Sequence, residues 1–208
     1  IIADSVGLGK TFEALAVIKY YELKNKNILV LCPKRLGNNW KIYVEPDTRN
    51  ILSTDRFNYK VLYHTDLTRE KGFSNQGVNL ETFNWGNFDL VVIDESHNFR
   101  TNKAVKDKTT RYQKLMRDII KKGVKTKVLL LSATPINNNL TDLKNQIDFI
   151  TEENPNALND YGIRNIHSLL RIAQLKFNDW AEKRKDGHKQ GLLENLDIPS
   201  QAFSLCVH

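Results

Sequence analysis

The sequence predicts an α/β fold in which a mostly parallel sheet carries helices on both faces. Short, continuous apolar runs alternate along the 208 residues with stretches of helical periodicity. Runs that are apolar at every position suit strands covered on both sides, and alternating strands and helices are typical of parallel sheets with right-handed crossovers. The composition, 26% charged and 40% hydrophobic, is ordinary for a globular protein.

Three apolar runs predict the central strands: Asn27 to Cys32, Leu90 to Ile93 and Lys127 to Leu131. Two weaker segments add to them. Ile1 to Ala3 has the character of the end of a buried strand, and the side chains from Phe57 to Tyr63 alternate with the period of two that a strand requires.

Three helices are predicted between and after these strands. The first spans Thr11 to Leu23, directly after a glycine-rich loop. The second has apolar residues at helical spacing from Tyr112 to Ile120 and ends at Gly123, and the third follows the same period from Ile166 to Trp180.

We therefore predict one domain over residues 1–181, followed by a loop and an unassigned tail at 182–208. Because the only methionine is Met116 and the chain opens within an apolar run, we expect a fragment of a longer protein. Two cysteines, Cys32 and Cys206, make no disulfide framework, which favours the reducing cytoplasm. No apolar run approaches the roughly 18 residues of a membrane span, so no membrane partner is expected.

The net charge of +7 comes from one segment of the chain. Residues 100–127 hold eleven basic and two acidic side chains, and the remainder is close to balance. Such a segment can attract the phosphate backbone of a nucleic acid. A solvated helix face is the simpler explanation.

The loop from Asp4 to Thr11, DSVGLGKT, has the pattern of a phosphate loop between a strand and a helix, except that Asp4 stands where the first glycine is expected. Backbone N–H groups of such a loop surround phosphate oxygens, while Lys10 reaches the terminal phosphates and the Thr11 hydroxyl binds Mg²⁺. The predicted cofactors are ATP and Mg²⁺. The predicted cofactor-binding residues are Gly7, Leu8, Gly9, Lys10 and Thr11.

A second motif ends the run from Leu90 to Ile93 with two adjacent carboxylates. Asp94 is placed to hold Mg²⁺, and Glu95 can orient and deprotonate an attacking water. With Lys10, these two acids are the predicted catalytic residues. His97 completes a DExH pattern, and we favour a role in relaying the nucleotide state over a purely structural one.

A third motif, SATP, follows the apolar run that ends at Leu131. The hydroxyl groups of Ser132 and Thr134 can hydrogen-bond the catalytic acids and shift with the terminal phosphate. By itself this motif is weak, since an ordinary turn between a strand and a helix can have the same residues.

In order, the segments DSVGLGKT, LVLCPKRLGNNW, VVIDESH and LLLSATPINNN resemble motifs I, Ia, II and III of superfamily-two helicases. The GLGKT form after Asp4, and the CPxxLxxNW pattern from Cys32 to Trp40, are similar to the Swi/Snf-type branch, which moves along double-stranded DNA using ATP. The segments RYQKLM, GVKTKV and DLKNQI resemble a bacterial subgroup often joined to a phospholipase-D-like domain. The resemblance covers Ile1 to about Trp180.

The resemblance implies a first RecA-like ATPase lobe whose partners are DNA and a second RecA-like lobe of the same parent chain. It implies that Ser132 and Thr134 couple the nucleotide state to DNA grip, and that motif Ia contacts a DNA backbone through Lys34 and Arg35; for these two, plain surface charge stays an equal alternative. Since a second lobe would supply the arginine fingers, we expect the fragment to be nearly inactive alone.

Two other functions share part of this pattern. A strand-separating helicase on RNA or single-stranded DNA has the same motifs I, II and III, but the GLGKT and CPxxLxxNW forms argue against it. A nucleotide-gated DNA-binding module could grip DNA without turnover, but such a switch has no need of Glu95.

Overall fold

The computed structural model describes residues 1–5, 7–99, 109–134 and 140–185. The chain divides into two compact units, Ile1–Pro135 and Ile136–His208, which are described separately. Pro135 of the SATP motif, the basic residues at 100–108 and the tail from residue 186 onward lie outside the described residues.

The first unit is built on a four-stranded parallel sheet with the strand order β2-β1-β3-β4. The strands are β1 (Ile28–Cys32), β2 (Lys60–Tyr63), β3 (Leu90–Ile93) and β4 (Lys127–Leu130). Val30 of β1 lies opposite Val61 on one side and Val92 on the other. The start of the chain joins the sheet through an isolated parallel bridge between Ile2 and Leu131. The predicted α/β fold with a parallel sheet is confirmed.

The helices of the first unit are α1 (Lys10–Glu22), α2 (Gly37–Lys41) and α3 (Arg111–Lys114), and those of the second are α4 (Leu140–Thr151) and α5 (Ile166–Lys185). Every residue of β1 and β3 is buried, so both faces of the sheet centre are covered. On one face Leu15 and Ile18 of α1 pack with Trp40 of α2 in an apolar cluster. This is the burial on both faces that the continuous apolar runs predicted.

The second predicted helix differs from expectation in its geometry. After α3 it continues as a π-helix over Leu115–Lys121, in which Lys122 N donates to Arg117 O, five residues earlier. The buried side chains are Leu115, Met116, Ile119 and Ile120, which the wider turn places toward the core. The helix ends at Lys121, shortly before the predicted stop at Gly123, where a side chain would collide with Ile119 O.

In the described part of the second unit, a buried carboxylate on α4 contacts a side chain of α5. Asp148 of α4 accepts from Lys144 Nζ at 2.7 Å and lies 2.6 Å from His167 Nε2 of α5. The last helix extends to Lys185, so the first residues of the segment 182–208, predicted as a loop and an unassigned tail, are helical instead. None of the described helices is long and apolar enough to cross a bilayer.

Candidate nucleotide-binding site

The segments that carry the motifs meet at one edge of the sheet. Asp94 directly follows β3, and Ser132 comes shortly after β4. The carboxyl ends of these two strands lie side by side because the strands are paired in parallel. Ile2 N donates to Leu130 O at 2.8 Å, and Ser132 N donates to Ile2 O at 3.1 Å, which brings the glycine-rich loop to the same edge. In open α/β sheets this edge is where ligands bind.

Two glycines of the glycine-rich loop have backbone angles that other residues rarely adopt. Gly7 and Gly9 have φ angles of 85° and 90°, in the left-handed region that favours glycine. Gly9 caps α1 without a side-chain hydrogen bond, and the N-terminus of a helix attracts anions. Lys10 Nζ donates to Asp4 O at 2.7 Å and to Ser5 O at 2.8 Å, whereas Leu8 is exposed.

Two donors hold the carboxylate of Asp94. Oδ2 accepts from Trp40 Nε1 at 2.9 Å, and Oδ1 accepts from Glu95 N at 2.9 Å. Burial raises the pKa of Asp94, while the hydrogen bond from Trp40 and the charge of Lys10 oppose that rise. Asp94 is therefore a partly buried carboxylate whose two oxygens each accept one hydrogen bond.

The oxygen donors available at this edge fit Mg²⁺. The Thr11 hydroxyl and the Asp94 carboxylate are hard oxygen ligands, and Mg²⁺ is typically bound by one or two such groups together with phosphates and waters. Among the residues that the structure describes, no cluster of three or more His, Cys, Asp or Glu could hold a metal.

Glu95 is joined to the third motif through His97. Glu95 Oε2 lies 3.2 Å from His97 Nδ1, and the same nitrogen lies 3.5 Å from Ser132 Oγ. Ser132 Oγ in turn accepts from Thr134 N at 3.2 Å. The structure thus brings together the four residues predicted for water activation and coupling. Glu95 has a φ of 50°, which is uncommon for a non-glycine residue and is often found at functional sites.

The residues predicted to contact DNA lie beside this site. Lys34 and Arg35 are exposed, in a 3-10 turn between β1 and α2. They follow the carboxyl end of β1 at the same sheet edge, where loops that bind ligands are usually found.

The sequence did not predict the contact between Trp40 and Asp94. Trp40 was named above only as the last residue of the CPxxLxxNW pattern, and the residue is fully buried. It also donates its indole N–H to Asp94. A buried indole N–H usually finds an acceptor, and that rule was the available signal.

The segment from Tyr63 to Arg69, to which the sequence assigned no role, leaves β2 and contains a 3-10 turn at Asp66–Thr68. Asp66 is buried and accepts from Tyr63 N at 2.9 Å. His64 is 4% exposed, lies 3.3 Å from Leu31 O through Nε2, and packs its ring against Phe99. Burial lowers the pKa of His64 to about 4.

Comparison with known proteins places this site in a family. Residues 1–167 match the SNF2-related domain family. The chain belongs to this family. The match covers all four helicase-like segments, so the resemblance to the Swi/Snf-type branch is confirmed at the family level.

Similar proteins include nucleoside triphosphatase I of Choristoneura fumiferana entomopoxvirus, which is 32% identical over 160 residues (74% of this chain and 24% of the relative). The uncharacterized ATP-dependent helicase YqhH of Bacillus subtilis is 29% identical over 153 residues (72% and 26%). The SNF2-related chain thus spans about a quarter of these relatives. The Sulfolobus solfataricus SWI2/SNF2 ATPase core in complex with dsDNA has a TM-score of 0.49 and 21% identity, covering 73% of this chain and 31% of that chain.

Proposed function

We propose that this chain is the ATP-binding lobe of a DNA-dependent ATPase that translocates on double-stranded DNA. One observation supports the proposal above all: the glycine-rich loop, the Asp94–Glu95 pair and Ser132 lie at one edge of a parallel sheet in an SNF2-related chain. Similar proteins include a probable ATP-dependent DNA helicase of Arabidopsis thaliana, 26% identical over 185 residues.

In this proposal Gly7, Leu8 and Gly9 form the backbone cradle for the phosphates. Lys10 exchanges its two loop carbonyl partners for the terminal phosphate oxygens, which offer full negative charge in place of dipoles. Thr11 and Asp94 would hold Mg²⁺, which neutralises phosphate charge when bound.

Glu95 acts as the base that orients the attacking water and takes its proton. Its contact with His97, and that of His97 with Ser132, give the site a path by which loss of the terminal phosphate reaches the third motif. Ser132 and Thr134 then couple the nucleotide state to DNA grip.

We further propose that Lys34 and Arg35 contact a DNA phosphate backbone. ATP binding would close this lobe on a second RecA-like lobe of the same parent protein, and closure would move the DNA.

We place the protein in the bacterial cytoplasm, in a subgroup associated with a nuclease-like or phospholipase-D-like domain. One domain over residues 1–181 is the proposed extent of the lobe.

Triplex displacement tests translocation directly. The full-length protein should release a third strand from a DNA duplex with ATP, and Lys10→Ala should abolish the release because the terminal phosphate loses its cation. Lys24→Ala, an exposed lysine beyond α1, is the matched control and should displace as wild type does. Unwinding of the duplex itself would favour a strand-separating helicase, and ATP-gated DNA binding without displacement would favour a switch module.

A further inference from the structure

A tryptophan outside the phosphate loop and the DExH motif contacts the carboxylate assigned to the metal. Trp40 Nε1 donates to Asp94 Oδ2 at 2.9 Å across 54 residues of sequence. Asp94 Oδ1 accepts from Glu95 N. A carboxylate oxygen has two lone-pair directions, so each oxygen keeps one for a cation while a fixed donor occupies the other.

The indole is held so firmly that it can act as a fixed donor. Trp40 is 0% exposed and packs edge-to-face with Tyr59, at 6.3 Å between ring centroids. Tyr59 Oη donates to Trp40 O at 2.6 Å, which fixes the backbone as well as the ring. At the start of α2, Gly37 lies so close to Tyr63 that an added Cβ would be 2.6 Å from the ring. The helix that carries Trp40 therefore cannot shift easily.

We propose that Trp40 is a positioning residue for Asp94, whose indole N–H fixes the carboxylate and thereby sets the affinity of the site for nucleotide-bound Mg²⁺. The proposal rests on the proposed function, because it takes Asp94 as the carboxylate that faces the metal. Partners that orient a metal-binding carboxylate typically change metal affinity or activity by about 10- to 100-fold when they are lost.

The matched variants are Trp40→Phe and Trp85→Phe. Both remove a buried indole, since Trp85 is 7% exposed, but Trp85 Nε1 has no hydrogen-bond partner in the described part of the chain. A third variant carries β-(3-benzothienyl)alanine at position 40, which replaces the indole N–H by sulfur and keeps the bicyclic shape. It removes the donor without leaving a cavity if Trp40→Phe fails to fold.

The first measurement follows the indole N–H itself. In ¹H–¹⁵N spectra of the protein labelled with [¹⁵N]tryptophan, the Trp40 cross-peak should move when MgCl₂ is added with AMP-PNP. It should not move with AMP-PNP and EDTA. Trp40→Phe, or the benzothienylalanine variant, assigns the peak. If the nucleotide binds but the position of the Trp40 cross-peak does not change when Mg²⁺ is added, the proposal is overturned.

The second measurement titrates MgCl₂ at saturating AMP-PNP. Trp40→Phe and the benzothienylalanine variant should raise the half-saturating Mg²⁺ concentration about 10- to 100-fold, with AMP-PNP affinity in EDTA unchanged. Trp85→Phe should match wild type. An equal Mg²⁺ requirement in wild type and both position-40 variants refutes the role of Trp40.

Asp94→Asn separates the two levels of the argument. If it raises the Mg²⁺ requirement and the position-40 variants do not, only the role of Trp40 fails. If it leaves the requirement unchanged, the assignment of Asp94 fails, and the proposal for Trp40 fails with it.

Discussion

Substitution of Glu95 by glutamine should stop ATP turnover and leave nucleotide binding intact. Glutamine keeps the length and shape of the side chain. It can still hydrogen-bond His97 Nδ1, which lies 3.2 Å from Glu95 Oε2 in the structure. The backbone φ of 50° disfavours both side chains alike. The loss therefore falls on proton transfer, for which a positioned base contributes about 10²- to 10⁴-fold, or about 3–5 kcal/mol of barrier.

The assay compares DNA-stimulated turnover of the full-length protein with binding of a fluorescent ATP analogue. Glu152→Gln is the matched control, because Glu152 is an exposed glutamate with a φ of 54° in the turn after α4. It should hydrolyse ATP as wild type does. A loss of less than about tenfold in Glu95→Gln would refute the assignment of Glu95 as the base. Equal losses in binding and turnover would show that its role is structural.

Three further predictions follow from particular contacts. Replacing Lys34 and Arg35 by alanine should weaken DNA binding and reduce the slope of log affinity against log salt by about one per lost phosphate contact, measured by fluorescence anisotropy; an unchanged slope contradicts the proposed contacts. Gly37→Ala should lower the free energy of unfolding by about 1–3 kcal/mol in urea, because its Cβ would overlap the buried Tyr63 ring; unaltered stability would mean that the ring can move away. The pKa of His64 is lowered to about 4, so the unfolded chain, with an ordinary His pKa of about 6.5, binds the proton more readily. Stability should therefore change little above about pH 7 and fall by about 2 kcal/mol from about pH 7 to about pH 5; His64→Gln should remove that part of the pH dependence.

The pattern of apolar residues predicted the sheet because a central strand that is covered on both faces needs an apolar residue at every position. β1 and β3 are buried at every position, and both were located to within a residue. The π-helix at Leu115–Lys121 was not predictable, since spacings of three and four residues suit an α-helix equally well. Its geometry also depends on distant partners, such as Thr126 Oγ1, which donates to Phe88 O at 2.8 Å and lies 3.1 Å from Ile119 O.

In the candidate site, too, some residues were predictable from the sequence and one was not. Lys10, Thr11, Asp94 and Glu95 were identifiable because a local motif is sufficient to specify a loop or a strand end. Trp40 was not, because its contact with Asp94 depends on two adjacent parallel strands and on the short helix that follows the first of them.

The central claim is that this lobe hydrolyses ATP in response to duplex DNA. Its most direct test is the ATPase rate of the full-length protein with duplex DNA, single-stranded DNA and RNA as separate activators, with Lys10→Ala giving the background. We expect strong stimulation by duplex DNA alone. Stimulation mainly by single strands or RNA would contradict the claim and would favour a strand-separating helicase built on the same site.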